Sequence, residues 1–246
     1  MTENFIYPGK ELELFSKAKN WKKYLAHFIN PHIKGRVLEV GAGLGGMTSW
    51  MKHSDEHEWV LLEPDKKMAE LLLKKKGNES INNKYSLING TIDNAGYELF
   101  DTIIYIDVLE HIEDDNLEIS KAAKLLTPGG KLIILSPAFQ FLFNPFDKAI
   151  GHFRRYSKNS IRKANNRILK EESLHYLDSA GFFSSLANKL LLRQQYPAQK
   201  QLIFWDRFLI PVSFVLDRIF FYSFGKSILG VWKNETSVNI PGQTMY

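Results

Sequence analysis

Proton transfer at neutral pH needs a group whose charge changes near pH 7, and imidazole is that group. Of the seven histidines, His111 and His152 are the candidate catalytic bases. His111 stands one helical turn beyond an apolar run at 100–106, and His152 lies in a loop beyond the next run. A histidine in such a loop has a plainer use, bracing it by hydrogen bonds. His27, His32, His53, His57 and His175 have no motif around them and read as surface or packing residues. Arg154 and Arg155 set two guanidiniums side by side, each matching a carboxylate or phosphate with paired hydrogen bonds. Consecutive residues point different ways, so one faces a ligand while the other pairs with Asp147 or an acid at 113–115. Tyr156 adds a hydrogen bond or a stacking face to a substrate. Anchoring of the loop is the competing reading for all three. The acids Asp107, Glu110, Glu113, Asp114 and Asp115 raise the question of a metal. They run into the start of a helix, where the dipole favours them, and a cation needs ligands converging from separate segments. No second ligand set is visible, so no metal is expected.

These residues need a scaffold, and it is written in short apolar runs. Val37, Leu38 and Val40 form a buried strand running into a turn with Gly41, Gly43, Gly45 and Gly46. Glycine lets the backbone turn tightly and approach a ligand where a side chain would collide. A helix after that turn would aim free N–H groups at the same spot, the seat of a nucleotide-like cofactor in a doubly wound sheet. Two templates fit. Gly41, Gly43 and Gly46 give the G-x-G-x-x-G of dinucleotide sites, whereas Glu39, Gly41, Gly43 and Gly45 give the pattern of S-adenosylmethionine (AdoMet) sites. A pyrophosphate is poorly served by a carboxylate two residues before the first glycine. A ligand ending in an ammonium group is well served by it. Glu39 thus favours AdoMet, with a nicotinamide dinucleotide as the alternative.

Further strands are read at 59–62, 85–88, 100–106, 131–136, 170–177 and 227–232. The run at 100–106 is almost continuously apolar, as a central parallel strand is. The second strand ends in Glu63, Pro64 and Asp65. An acid at that tip accepts hydrogen bonds from both ribose hydroxyls of an adenosine, and Glu63 is the candidate. Asp65 is better placed to cap the following helix.

Four runs in order, 37–45, 62–65, 107–115 and 126–132, together resemble class I AdoMet-dependent methyltransferases. The resemblance implies an α/β fold: a doubly wound, Rossmann-like, mostly parallel seven-stranded sheet with its last strand antiparallel. It implies cofactor contacts from Glu39, Gly41, Ala42, Gly43, Gly45, Glu63, Pro64, Asp107, Val108 and His111, with His111 lining the methionine end. The acid that such enzymes place on the adenine amine has no direct equivalent. Gly90 and Thr91 hold the first positions and Asp93 comes late, leaving Thr91 and Asp93 as candidates. Further on, Asp147 and the run Gly151, His152, Arg154, Arg155, Tyr156 resemble a small bacterial subgroup whose substrates include envelope glycans, lipids and secondary metabolites.

The 246 residues hold one such domain with room for additions. Residues 1–34 read as an N-terminal helical lid, with an amphipathic helix over 10–30 that offers Trp21 and Tyr24 to a substrate. A flap is read at 5–9. The cofactor-binding core spans 35–177, an aromatic helical insertion before the last strand 178–225, and the last strand and tail 226–246. With no cysteine, disulfides and thiolate chemistry are excluded, which fits a cytoplasmic protein. No signal peptide is read at the start. A net charge of +5 is moderate, and its lack of a basic stripe argues against a nucleic-acid partner. The insertion is oily over 202–222, yet Asp206, Asp217 and Pro211 interrupt it before any membrane-spanning length. It reads as a cap over an apolar substrate, a homodimer contact, or, over 202–224, a peripheral contact with the inner face of a membrane.

The expected activity is methyl transfer from AdoMet, leaving S-adenosylhomocysteine, to a small-molecule, sugar or lipid acceptor in envelope or secondary-metabolite biosynthesis. An NAD(P)-dependent oxidoreductase is one alternative, and a non-catalytic membrane- or partner-binding protein with the same fold is another.

Overall fold

The computed structural model describes residues 7–8, 15–52, 54, 57–78, 85–192 and 198–236. Its centre is a seven-stranded sheet of order β3-β2-β1-β4-β5-β7-β6. The strands are β1 (Arg36–Val40), β2 (Glu58–Glu63), β3 (Tyr85–Asn89), β4 (Phe100–Ile106), β5 (Leu126–Pro137), β6 (Lys170–Leu177) and β7 (Ser227–Lys233). The first five are parallel to one another, and β7 runs antiparallel between β5 and β6. The chain steps outward from β1 to β3, then returns to place β4 on the other side of β1. That reversal opens a crevice between the carboxyl ends of β1 and β4, the usual ligand position in such sheets.

Alternate side chains of one strand enter opposite cores, as the two-residue period of a strand demands. Ile103 and Tyr105 of β4 pack with Ile119 and Ala122 of α3 (Asp115–Lys124) and with Ile161 and Ala164 of α5 (Lys158–Asn165). Between them, Ile104 faces the second core with Leu25 and Ile29 of α1 (Lys19–Ile29). Each of these isoleucines is fully buried, so truncation to alanine would cost about 2–5 kcal/mol. Helix α2 (Lys66–Asn78) follows β2, and the short α4 (Pro145–Ala149) follows β5.

The insertion contains α6 (Ser179–Ala187), α7 (Gln199–Phe204) and α8 (Ile210–Ile219), the last two joined by one wide π-turn at Trp205–Leu209. The insertion is part of the core. Leu202, Trp205 and Ile210 pack in the same core as Leu135, Leu229 and Val231, so the insertion supplies the helical layer beside α1. Those strand residues would otherwise lie bare on that face.

The N-terminal helix does not run unbroken over 10–30: Ser16 and Lys17 form a turn before α1 begins at Lys19; residues 10–14 of the expected helix and 5, 6 and 9 of the expected flap lie outside the described residues. The α-helix expected after the glycine turn does not form. Residues 41–47 turn repeatedly and close in a 3₁₀ turn at Thr48–Trp50. Gly41, Gly43 and Gly45 all have positive φ, and that alternation breaks the helical repeat.

Candidate functional site

Two glycines shape the cofactor end of the crevice. Gly41 sits at φ +69°, and a Cβ there would stand 2.6 Å from Val108 Cγ2. Gly45 sits at φ +68°, and its Cβ would stand 2.7 Å from Leu72 Cδ1. The turn is therefore pressed onto the loop after β4 on one side and onto α2 on the other. Ala42 N–H donates to Leu62 O at 2.9 Å, tying it to β2 as well. Glu39 is buried at the end of β1 and accepts a hydrogen bond from the Thr48 hydroxyl at 2.8 Å, which holds the far end of the turn.

Glu63, at the tip of β2, accepts from Gly43 N–H at 2.7 Å and from Asp65 N–H at 2.8 Å. Burial pushes its carboxyl above the usual range, although both backbone donors pull the other way. The acid is thus fixed against the glycine turn, with Pro64 next to it and Asp65 capping α2 through Lys67 N–H and Met68 N–H. At the tip of β4, Asp107 is exposed with φ +54°. A non-glycine residue in that region costs about 1–3 kcal/mol. These features fit an adenosine-bearing cofactor: a cradle that no Cβ can share and an acid presented beside it.

Thr91 and Asp93 take different places. Thr91 begins a 3₁₀ turn at Ile92–Asn94 and exchanges capping hydrogen bonds with Asn94. Asp93 is exposed and paired with Lys121 of α3 at 2.7 Å, directed onto that helix. Over the crevice lie Tyr7 and Pro8. Tyr7 N–H donates to Asp65 Oδ2 at 2.9 Å, and its ring meets His111 edge-on at 5.5 Å. This pair therefore runs from the tip of β2 to the loop after β4.

Beyond the cofactor end stands a buried polar cluster. Asp147, fully buried in α4, accepts from Arg155 Nε at 2.8 Å and pairs with Arg155 Nη2 at 2.8 Å. It also accepts from His152 Nδ1 at 2.9 Å. Burial alone would raise the Asp147 carboxyl, but hydrogen bonds from His152 and Arg155 and the arginine's charge hold it below the usual range. An ionised Asp147 fixes the imidazole with Nδ1 protonated, leaving Nε2 to face Glu110 Oε1 at 3.7 Å. Glu110 is fully buried, and its Oε2 accepts from the Ser136 hydroxyl at 3.0 Å. Its Oε1 has no hydrogen-bond partner, and burial pushes its carboxyl well above the usual range. His111 packs edge-on against His152 with ring centres 4.5 Å apart. Burial and the neighbouring His152 push the His111 imidazole down to about 4, so it is neutral at pH 7. Both histidines expected to do chemistry are therefore brought together.

The other expected substrate contacts are occupied within the fold. Arg155 faces inward to Asp147, whereas Arg154 pairs with Asp115 at 2.7 Å and donates to Glu113 O at 2.6 Å. Tyr156 is buried and donates to Asp115 Oδ2 at 2.7 Å. Arg154 and Tyr156 line an open recess of about 610 Å³ with Asn116, Gln140 and Lys163. Tyr24 is buried, its hydroxyl donated to Asp217, and Trp21 packs on Trp205 at 5.6 Å. Each arginine has a carboxylate partner of the kind expected for one of them, Asp147 for Arg155 and Asp115 for Arg154.

Three aromatic rings and a lysine that sequence reasoning did not single out lie together beside α4. Phe15 meets Trp205 at 6.1 Å and Phe146 at 6.5 Å. Lys226 lies 4.2 Å over the Trp205 ring and 5.9 Å from that of Phe15. Burial pushes its amine below the usual range, against the pull of Asp178. No motif surrounds these positions, and Phe15 and Phe146 stand 131 positions apart in sequence, so local spacing carried no signal.

Residues 38–132 match a family described as a methyltransferase domain. Among curated relatives, the ubiquinone/menaquinone biosynthesis C-methyltransferase of Shewanella baltica is 24% identical over 171 residues, covering 66% of this chain and 65% of that protein. The chain thus spans slightly less than two thirds of that relative. Among solved structures, a geranyl diphosphate methyltransferase in complex with AdoMet superposes with a TM-score of 0.63 at 11% identity, covering 92% of this chain and 90% of the other. The N-methyltransferase NodS of Bradyrhizobium japonicum WM9, with S-adenosylhomocysteine, gives 0.56 at 14% identity, covering 89% of each. At these identities the superpositions speak for the fold.

Proposed function

We propose that this chain, whose residues 38–132 form an AdoMet-dependent methyltransferase domain, methylates an apolar acceptor drawn from a lipid surface. The observation that carries the acceptor class is the orientation of the insertion. Phe204, Phe208, Val212, Val215 and Ile219 follow one another at helical spacing, and each is 45–60% exposed. On the opposite side, Asp206, Ser213 and Asp217 are buried. The element is inside out. Its two aspartates, which in sequence argue against a membrane, are turned inward, and the exposed charges at 199–221 are the cations Lys200, Arg207 and Arg218. An apolar stripe flanked by cations is the composition of a helix lying in a membrane interface. Among the described residues no helix is long and apolar enough to cross a membrane.

When bound, AdoMet supplies an electrophilic methyl on a sulfonium, and S-adenosylhomocysteine remains after transfer. The chain's residues position and screen. Glu63 and the glycine turn hold the adenosine, Tyr7 and Pro8 cover the crevice, and Phe15, Phe146 and Trp205 wall the acceptor side against water. Where the acceptor carries a proton, His152 Nε2 is the receiving atom, since Asp147 already holds Nδ1. A nicotinamide dinucleotide suits this crevice less well. The first turn ends in a 3₁₀ turn, so no α-helix N-terminus follows it to receive a pyrophosphate.

The test uses AdoMet with a radioactive methyl group, purified protein and a membrane extract of the source cells. Label recovered in the organic phase, and lost with Glu63→Ala, supports the reading. Label confined to the aqueous phase overturns the lipid acceptor, and none above the Glu63→Ala control overturns the transfer.

A further inference from the structure

Along the sequence the acids at 107–115 have no second ligand set; the fold brings one to them. Glu110 and His111 come from the turn after β4, and His152 comes from the loop after α4, 41 positions further along. Their ligand atoms, one carboxylate oxygen and two imidazole nitrogens, lie within 4.8 Å of one another. From this juxtaposition we propose that Glu110, His111 and His152 form a site for one divalent transition-metal ion, with the acceptor or water completing its shell.

Several independent features converge on it. Two imidazoles and a carboxylate with open positions are the donor set of non-haem iron and zinc sites, and do not suit magnesium or calcium. Ligands of a tetrahedral ion at 2.0–2.1 Å stand about 3.4 Å apart, and His152 Nε2 and Glu110 Oε1 are already at 3.7 Å. Glu110 Oε1 is a fully buried oxygen without a hydrogen-bond partner, which a cation between it and His152 would satisfy. The outer shell is also built. Asp147 holds Nδ1 of His152, Ser136 holds the other oxygen of Glu110, and His111 is hydrogen-bonded to the backbone of Gly151. A carboxylate behind a histidine is the usual way a metal-binding imidazole is oriented and made more basic.

The site stands or falls separately from the proposed transfer; only its consequence rests on that reading. An ion here would take His152 Nε2 out of use as a proton acceptor. It would instead bind the acceptor oxygen and lower its pKa, so that the acceptor is presented already deprotonated.

The test begins with full-length protein stripped by a chelator and titrated with Co²⁺ alone, whose visible spectrum reports nitrogen ligands, with bound metal counted by mass spectrometry. One ion per chain is expected. The near-isosteric Glu110→Gln and the truncation His152→Ala should both abolish it, and Asp147→Asn should weaken binding about 10–100-fold. Binding of S-adenosylhomocysteine by each variant serves as the control for folding. Wild-type protein that binds S-adenosylhomocysteine but takes up no Co²⁺ overturns the site, as does uptake that survives both Glu110→Gln and His152→Ala. Stoichiometric Co²⁺ in protein that fails to bind S-adenosylhomocysteine would keep the site and overturn the cofactor reading instead.

Discussion

The Tyr24 hydroxyl donates to Asp217 Oδ2 at 2.6 Å, joining two buried side chains 193 positions apart. Asp217 also accepts from Asp178 N–H at 2.7 Å and Ser179 N–H at 2.8 Å, so one carboxylate ties α1, the end of β6 and the start of α6 to α8. Asp206 repeats the device, accepting from Asn20 N–H at 3.2 Å and Trp21 N–H at 2.9 Å at the first turn of α1. The N-terminal helix is thus fastened to the insertion by aspartates at its start and its middle.

Tyr24→Phe removes one donor and should lower stability by about 1–2 kcal/mol, because Asp217 keeps its two backbone partners. Asp217→Ala leaves two backbone N–H groups and a phenol unpaired in the interior and should cost about 3–5 kcal/mol. Urea unfolding followed by far-UV circular dichroism measures both. Equal losses for the two variants would show that the carboxylate is not the hub.

Glu63 gives a dependence on pH with a definite sign. Its folded-state carboxyl is raised above the ordinary 4.5, so the fold holds this proton more tightly than the unfolded chain does. Its contribution to stability is therefore complete below pH 4.5 and is lost as pH rises through the folded value. Under the proposed ribose contact, cofactor binding runs the other way, because that contact has the ionised carboxylate accepting from both ribose hydroxyls. Affinity for S-adenosylhomocysteine, measured by calorimetry, should fall as pH drops, with its midpoint above 4.5. Glu63→Gln should bind about 10–100-fold more weakly at pH 7.5 and show a flat profile below it. A Gln variant that keeps the wild-type pH profile would assign the effect elsewhere.

Gly41→Ala should abolish binding without a comparable effect on folding. At φ +69° an alanine costs about 1–2 kcal/mol, and its methyl at 2.6 Å from Val108 forces the turn off the β4 loop. Thermal melting with and without S-adenosylhomocysteine separates the two effects. The prediction is a small drop in melting temperature and no ligand-induced rise. A full ligand-induced rise would mean that the turn is not part of the cofactor seat.

The cofactor half was legible in sequence because its signals are local. Strands β4 and β6 occupy the predicted 100–106 and 170–177. Strand β4 buries a nearly continuous apolar run, and β6 buries Leu174, Tyr176 and Leu177 at its end. The rest was legible only in part. The sequence already offers Asp147 to one of the two arginines, but that His152 shares the same carboxylate appears only in the fold. Asp206 and Asp217 look like interruptions of an oily helix, and only the contact with α1 shows which way they point. The glycine turn misled in the opposite sense, because its pattern suggested an α-helix that three positive φ values prevent.

That inward turn of the aspartates gives the last prediction. If the stripe from Phe204 to Ile219 meets a lipid surface, the protein should sediment with vesicles containing a third phosphatidylserine and not with neutral ones, and release should follow added salt. Phe208 and Val215 are 55% and 56% exposed, so charges there disturb little inside the fold. Phe208→Glu combined with Val215→Glu should abolish sedimentation while leaving S-adenosylhomocysteine affinity unchanged, since neither residue reaches the crevice. A sedimentation-equilibrium run at several concentrations tests the rival occupant. A dimer that the same double substitution splits, with no vesicle binding by the wild type, would give the stripe to a second copy of the chain and leave the acceptor to reach the crevice from water.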